Sequence, residues 1–304
     1  MDNITFKQIR NMSEDQAREM LETIRWNGSP VCPHCQSNEA YKLTPKEGST
    51  TRKGLYKCKA CRKQFTVTVG TIFEGSRIKI ADWLMALYLV CSSKKGISAH
   101  QLHRTLGVTY KTAWFMAHRI RLAMREAPLA DKLNGVVEVD ETYVGGKMRG
   151  GKRGRGSENK TPVFALVQRG GQLRAHKVQN VTAVTLKTAI RNNVERDAVI
   201  MSDSFKAYTG LEKEFAGHEV VDHGTGEYVR GNAYTNTAEG WFALLKRGVT
   251  GTFHHVSEQH LDRYVDEFAF RYNNRDVSDA ERTVKALRKI EGKRLHYKDV
   301  SKAE

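Results

Sequence analysis

Apolar and polar positions change their period along this chain, and each change marks a different kind of element. Met20, Leu21 and Ile24 recur at helical spacing behind Ser13-Glu14-Asp15-Gln16, which matches a capping box. Tyr56, Phe65, Val67 and Val69 alternate as short strands do. Over residues 80–124 the pattern predicts three helices. The first is the apolar run 83–91. The second opens on the capping-box match Ser98-Ala99-His100-Gln101 and carries Leu102 and Leu106. Gly107-Val108-Thr109 supplies a turn, and the third helix covers 110–125.

Beyond residue 131 the period shortens. Val136-Val137-Glu138-Val139-Asp140-Glu141-Thr142-Tyr143-Val144 alternates and reads as a half-buried strand. Strands are expected over 163–168, 173–178, 198–201 and 219–222. Helices are expected over 183–194, 205–215, 237–247, 257–272 and 279–290. Three strands in series followed by alternating helices and strands predict a mixed α/β sheet flanked by helices. The chain is therefore divided into a helical segment (1–28), a metal-binding ribbon (29–72), a helix-turn-helix (78–130), an α/β domain (131–278) and a C-terminal helix with a charged tail (279–304).

Charge alters this picture first. Fifty Lys and Arg face 34 Asp and Glu, a net charge of +16 with a pI near 9.6. A polyanionic partner, with nucleic acid the commonest, is the plain reading, against a merely solvated basic surface. No apolar run is long enough to span a membrane. The amino terminus lacks the apolar core of a signal peptide, so a cytoplasmic protein is expected.

Four of the five cysteines form two pairs, Cys32-Pro33-His34-Cys35 and Cys58-Lys59-Ala60-Cys61. Paired Cys-x-x-Cys knuckles around short strands point to one structural zinc held by four thiolates, a zinc ribbon. A thiol redox pair would need only one of the two motifs. Cys91, within an apolar helix, reads as an inert core thiol. In the helix-turn-helix the third helix sets Trp114, Ile120 and Met124 on an apolar side. Lys111, His118, Arg119, Arg121 and Arg125 lie elsewhere, with Lys111 and Arg119 as candidate DNA contacts. A small helical bundle without DNA contact would show the same pattern. The stretch 145–156 is rich in Gly and basic residues; Lys152, Arg153 and Arg155 suit phosphate contact, and a flexible hairpin tip reads equally well.

Three acids carry the chemistry. Asp140 and Glu138 share one face of their strand, opposite Val137 and Val139. A carboxylate there is costly to bury unpaired, so it needs either a metal or an arginine. Asp203 ends an apolar strand, as a ligand-binding acid or as the cap of a following helix. Glu239 opens a helix within Asn236-Thr237-Ala238-Glu239, which also fits a capping box. Lys246 follows seven residues later on nearly the same face, with Arg247 beside it. Such a face offers a carboxylate for metal and an ammonium for phosphate. Two strand-borne acids and one helix-borne acid can together hold two Mg2+ or Mn2+ ions for phosphoryl transfer.

At these residues the chain resembles the DDE transposases of bacterial insertion sequences, within the branch that has an amino-terminal zinc ribbon and a lysine after the triad. The resemblance rests on 139–147, Ser202-Asp203, 236–247 and Phe268-Ala269-Phe270-Arg271-Tyr272-Asn273. It implies a ribonuclease-H-like catalytic core. Asp140 and Asp203 would bind two metals, Asp140 bridging them, and Glu239 would complete the second site. Lys246 would contact DNA near the scissile phosphate. His223 is either an assisting group or a structural histidine. The implied activity is cleavage of transposon ends and joining of the 3′ hydroxyl to target DNA, by a dimer or higher assembly on duplex DNA in the bacterial nucleoid. The competing readings are a structure-specific nuclease of the same fold and a DNA-binding regulator with a retired catalytic domain.

Overall fold

The structure, a computed structural model, describes residues 4–45, 48, 52–126, 131–145, 160–227 and 229–301. In chain order the first elements are α1 (Phe6–Arg10), α2 (Glu14–Trp26), β1 (Ala40–Lys42), β2 (Tyr56–Cys58) and β3 (Gln64–Phe65). Three helices follow: α3 (Ile80–Ser92), α4 (Ala99–Leu106) and α5 (Tyr110–Met124). Then come β4 (Val136–Gly145), β5 (Lys160–Gln168), β6 (Leu173–Lys177), α6 (Ala183–Asn193), β7 (Val199–Asp203) and β8 (Gly217–Val221). The last are α7 (Asn236–Gly248), α8 (Glu258–Asn273), α9 (Asp279–Arg288) and α10 (Lys298–Ser301). They form two compact units, residues 1–124 with 276–304, and residues 125–275.

In the first unit the capping box of α2 is complete. Ser13 Oγ accepts the Gln16 amide and Gln16 Oε1 accepts the Ser13 amide. Ser98 caps α4 in the same way on one side, and Gly107 ends it with φ at +66°, in the left-handed region that favours glycine. The ribbon strands pair antiparallel in the order β1-β2-β3. The expected alternation stops early: Tyr56 and Phe65 lie in strands, whereas Val67 and Val69 sit in turns. The C-terminal helix α9 returns to pack on α3, where the Arg282 guanidinium donates to the Cys91 carbonyl.

The second unit is built on a five-stranded mixed sheet in the order β6-β5-β4-β7-β8. β6, β5 and β4 are antiparallel, and β7 and β8 add parallel to β4. Alternation gives the sheet two apolar faces. Val137, Val139, Phe164, Leu166 and Ile200 pack under α6. Val144, Val163, Ala165 and Val167 pack under α7 and α8. The result is the expected mixed sheet, flanked by helices on both faces. One expected element is absent among the described residues: 205–215 is two 3-10 turns, Lys206–Tyr208 and Leu211–Lys213, and not one α-helix. Gly210 between them takes φ +92°, which a continuous right-handed helix excludes.

Candidate functional site

β4 sets its acids on both faces. Glu138 and Asp140 point to the α7 side. Glu141 points to the other, where its carboxylate accepts the hydroxyl of buried Tyr208. Asp140 pairs in register with the small Ala165 of β5. Asp203 ends β7, the strand beside β4, and Glu239 lies in the first turn of α7. Asp140, Asp203 and Glu239 are each half-buried.

Asp140 is where the electrostatics concentrate. Its carboxyl is pushed up to about 8, first by burial and then by the negative charges of Glu141, Asp203 and Glu239. The Glu141 backbone amide, donating to Asp140 Oδ1 at 2.7 Å, opposes this. The folded chain thus brings Asp203 and Glu239 close enough for their charges to bear on Asp140. The charges that bear most on Asp140 are all negative, so the cluster has the donor chemistry of a site for hard divalent cations. The arginine that could have neutralised Asp140 goes to Glu138 instead: Arg169 Nε donates to Glu138 Oε1 at 2.8 Å.

Both helix-cap alternatives leave a trace. Asp203 Oδ1 accepts the Phe205 amide at 3.0 Å, a local turn with no α-helix behind it. Glu239 is not a capping-box partner of Asn236. The helix begins at Asn236, the Thr235 side chain caps nothing, and the first amides of α7 go to Glu138. Thr235 instead donates its hydroxyl to Glu239 Oε1 at 3.4 Å. Behind Asp203, buried Ser202 donates to the Asp203 carbonyl at 2.8 Å and lies 2.8 Å from His218 Nε2. Burial holds the His218 ring below its ordinary pKa, against the opposing pull of Glu212.

The DNA-contact candidates divide. Lys246 and Arg247 are exposed near the end of α7, with Arg247 Nε donating to Ala243 O. A single π turn, Val249–Phe253, follows them. Lys111 is exposed on the first turn of α5, its ammonium 4.4 Å from the Tyr297 ring centroid. Arg119 corrects the expectation. It is 7% exposed, and its guanidinium is spent on the carbonyls of Ile72 and Leu295, so it holds the first unit together and offers nothing to DNA. His118 and Arg121 are buried too, which leaves the start of α5 as its accessible part. Lys152, Arg153 and Arg155 lie outside the described residues. His223 opens a short 3-10 turn after β8, and its side chain lies outside the described residues.

In the first unit Cys32, Cys35, Cys58 and Cys61 bring their sulfurs within 4.8 Å of one another. They are the one such group of potential ligands among the described residues. The acids do not close to that distance. Cys32 and Cys61 are 3.7 Å apart, and Cys35 and Cys58 3.6 Å. A tetrahedron with Zn–S bonds of about 2.3 Å has edges of about 3.8 Å, so the four thiols fit a closed zinc site. The Cys58 thiol is pushed down to about 7, first by the Cys61 backbone N–H and against burial.

Sequence reasoning missed Glu138, Arg169, Tyr208 and His218. Glu138 was visible only as a second acid on the Asp140 face. Its partners come from 31 and 99 positions away, beyond the reach of any local pattern. The family motif at 268–273 also proves structural in part. Asn273 binds both the amide and the carbonyl of Leu173, and Arg271 pairs with buried Glu267 one helical turn back.

Two family models match the chain. Residues 132–273 match the model of the ISXO2-like transposase domain, and residues 12–64 match that of the transposase zinc-ribbon domain. A Halobacterium salinarum protein, described as an uncharacterized protein in transposable element ISH50, is 31% identical over 276 residues. That match covers 86% of this chain and 91% of the relative. An uncharacterized transposase-like protein of Haemophilus influenzae is 27% identical over 110 residues, 36% of this chain and 88% of its own. The solved Mos1 transposase paired-end complex with left transposon end aligns over 70% of this chain and 76% of that chain. At 12% identity and a TM-score of 0.29 that likeness is too slight to decide anything. No described helix is long and apolar enough to cross a membrane.

Proposed function

This chain belongs to the ISXO2-like transposase family, and on that premise we propose that it cuts the ends of its insertion sequence and joins the freed 3′ hydroxyl to target DNA. The observation that carries this reading is the convergence of Asp140, Asp203 and Glu239 on one half-buried, negatively charged site. In this reading Asp140, Asp203 and Glu239 would hold the divalent cations, Mg2+ or Mn2+. The cations, when bound, activate the attacking oxygen and offset charge on the leaving one. The chain's own part is positional. β4 and β7 present two acids from neighbouring strands, and α7 presents the third. Asp140 would hold them as the ionised carboxylate, its proton passing to solvent. Lys246, two turns along α7 from Glu239, meets the phosphate beside the scissile bond, with Arg247 next to it. Cleavage and joining use the same acids, since both are displacements at phosphorus.

Lys111 and the first turn of α5 contact the terminal inverted repeats, as the start of a recognition helix does. The zinc ribbon, with one zinc on its four cysteines, shares in binding those ends. Two ends are processed together, so a homodimer or higher assembly on duplex DNA is expected, acting at the bacterial nucleoid.

The test is strand cleavage and joining on a labelled duplex carrying the ends that flank the gene, with Mg2+ or Mn2+. Wild type should nick and join, and Asp203→Asn should do neither while still binding the duplex. Nicking with no joined product would point to a nuclease. Binding with no metal-dependent chemistry in wild type would leave a DNA-binding regulator.

A further inference from the structure

Glu138 is completely buried two residues before Asp140, on the same face of β4. Both of its oxygens are saturated. Oε2 accepts the backbone amides of Thr237 at 2.8 Å and Ala238 at 3.0 Å. Oε1 accepts the Thr237 hydroxyl at 2.9 Å and Arg169 Nε at 2.8 Å. The same guanidinium donates to the carbonyls of Asn232 and Tyr234, each at 2.8 Å, and lies 3.4 Å from the Tyr234 ring centroid. Arg169 thus grips the segment leading into α7, while Glu138 takes the first amides of the helix itself.

Burying a carboxylate is costly unless every lone pair is used. A surface cap on Asn236 or Thr235 would have satisfied the same amides without that cost. What the buried arrangement adds is a link between two particular elements. β4 carries Asp140 and the first turn of α7 carries Glu239. The Glu138 bonds join those elements one and two residues from Glu239 and two residues from Asp140.

We propose that Glu138 and Arg169 are a positioning pair, which fixes the turn that carries Glu239 to the strand that carries Asp140 and so supports the binding of divalent cations between them. The proposal rests on the reading of Asp140, Asp203 and Glu239 as metal ligands. Glu138 is fully buried and Arg169 is spent on Glu138 and two carbonyls, so both act through Glu239. A ligand displaced by a fraction of an ångström loses affinity, and partners behind the ligands typically contribute about 10–100-fold to metal binding.

Isosteric changes test it. Three of the four groups around the Glu138 carboxylate can only donate, so Glu138→Gln must turn an amide N–H toward at least one of them. Arg169→Lys keeps the positive charge and loses the fork that reaches three acceptors. Mn2+ would be titrated calorimetrically into the full-length zinc-loaded protein without DNA. Duplex affinity in the absence of Mn2+ and the melting temperature would be recorded for each variant. Folded Glu138→Gln and Arg169→Lys proteins should bind Mn2+ at least about tenfold more weakly than wild type, with duplex affinity unchanged. Should Glu138→Gln fail to fold, Arg169→Lys decides. Wild-type Mn2+ affinity in a folded variant, even one that melts earlier, would overturn the proposal and leave the pair a purely structural contact. Asp140→Asn and Glu239→Gln separate the two levels. If either binds Mn2+ as wild type does, the ligand reading itself is wrong and the positioning role goes with it.

Discussion

Tyr208 donates its hydroxyl to the Glu141 carboxylate at 2.5 Å, on the face of β4 opposite Asp140. Tyr208 is 1% exposed and Glu141 9%. Burial, and then the charge of Glu141, hold the phenol well above its ordinary pKa, so it stays a donor. Tyr208→Phe leaves the volume intact and removes only that donor. A buried carboxylate deprived of a hydrogen bond costs about 1–3 kcal/mol. Urea denaturation of the variant should show a loss in that range at unchanged m-value, and an unaltered midpoint would mean that the bond contributes nothing net.

Asp140 makes the metal-free protein sensitive to pH. Its carboxyl rises from 3.8 to about 8 in the fold, so the native state holds an extra proton between those values. Stability from this group is therefore full below about pH 4 and lost as pH rises through about 8. In metal-free solution the melting temperature of wild type should fall more steeply between pH 5 and pH 8, roughly the upper part of that window, than that of Asp140→Asn. Parallel curves would show that Asp140 is not perturbed.

The same proton competes with metal. Loading the site requires the ionised carboxylate, so Mn2+ affinity should climb up to about tenfold per pH unit below pH 8 and then level off. Calorimetry in buffers of different ionisation enthalpy at pH 7 should count about one proton released on binding. No release would place the cation away from Asp140.

Zinc should be a folding requirement of the ribbon alone. Structural zinc contributes on the order of 10–16 kcal/mol in small zinc domains, far more than the three short ribbon strands can supply themselves. Metal analysis should find one zinc per chain. Chelation, or Cys35→Ser, should expose Lys57 and Lys59 to trypsin while Arg174 and Lys177, in the sheet of the second unit, stay protected. A ribbon that resists trypsin after chelation would remove zinc from the account of its fold.

Lys111 and Arg119, eight residues apart on α5, should behave in opposite ways. Lys111→Ala should lower duplex affinity and reduce the slope of log affinity against log salt by about 1, as loss of one phosphate contact does. Its stability should fall by no more than about 1 kcal/mol, the Tyr297 ring contact that it loses. Arg119→Ala strands the Ile72 and Leu295 carbonyls and should destabilise by about 1–3 kcal/mol, with the salt slope of the remaining folded protein unaltered. The reverse result would return Arg119 to the DNA surface.

Much of the site was legible because its signals are local. The strand alternation that put Asp140 and Glu138 on one face, the apolar run ending at Asp203 and the two Cys-x-x-Cys pairs each lie within one element. Backbone geometry turns such spacing directly into position. Arg119 was misread for the converse reason. Helical spacing says which residues share a face, not which face a neighbouring segment will cover. Here the segments around Ile72 and Leu295 cover it. The run 205–215 had helical composition, and the left-handed Gly210 divided it.

By itself the sequence determined most of the elements and their order, the mixed sheet, the four thiols and the three candidate acids, because period and motif spacing act over a few residues. Only the tertiary structure decided how those acids are held. Glu138 finds Arg169 and the start of α7 across 31 and 99 positions of chain. A buried charge takes whatever donors the packed fold brings to it, and nothing in its local sequence names them. The two carboxylates on the Asp140 face look equivalent in the sequence. The fold gave the arginine to Glu138, and left Asp140 among other acids.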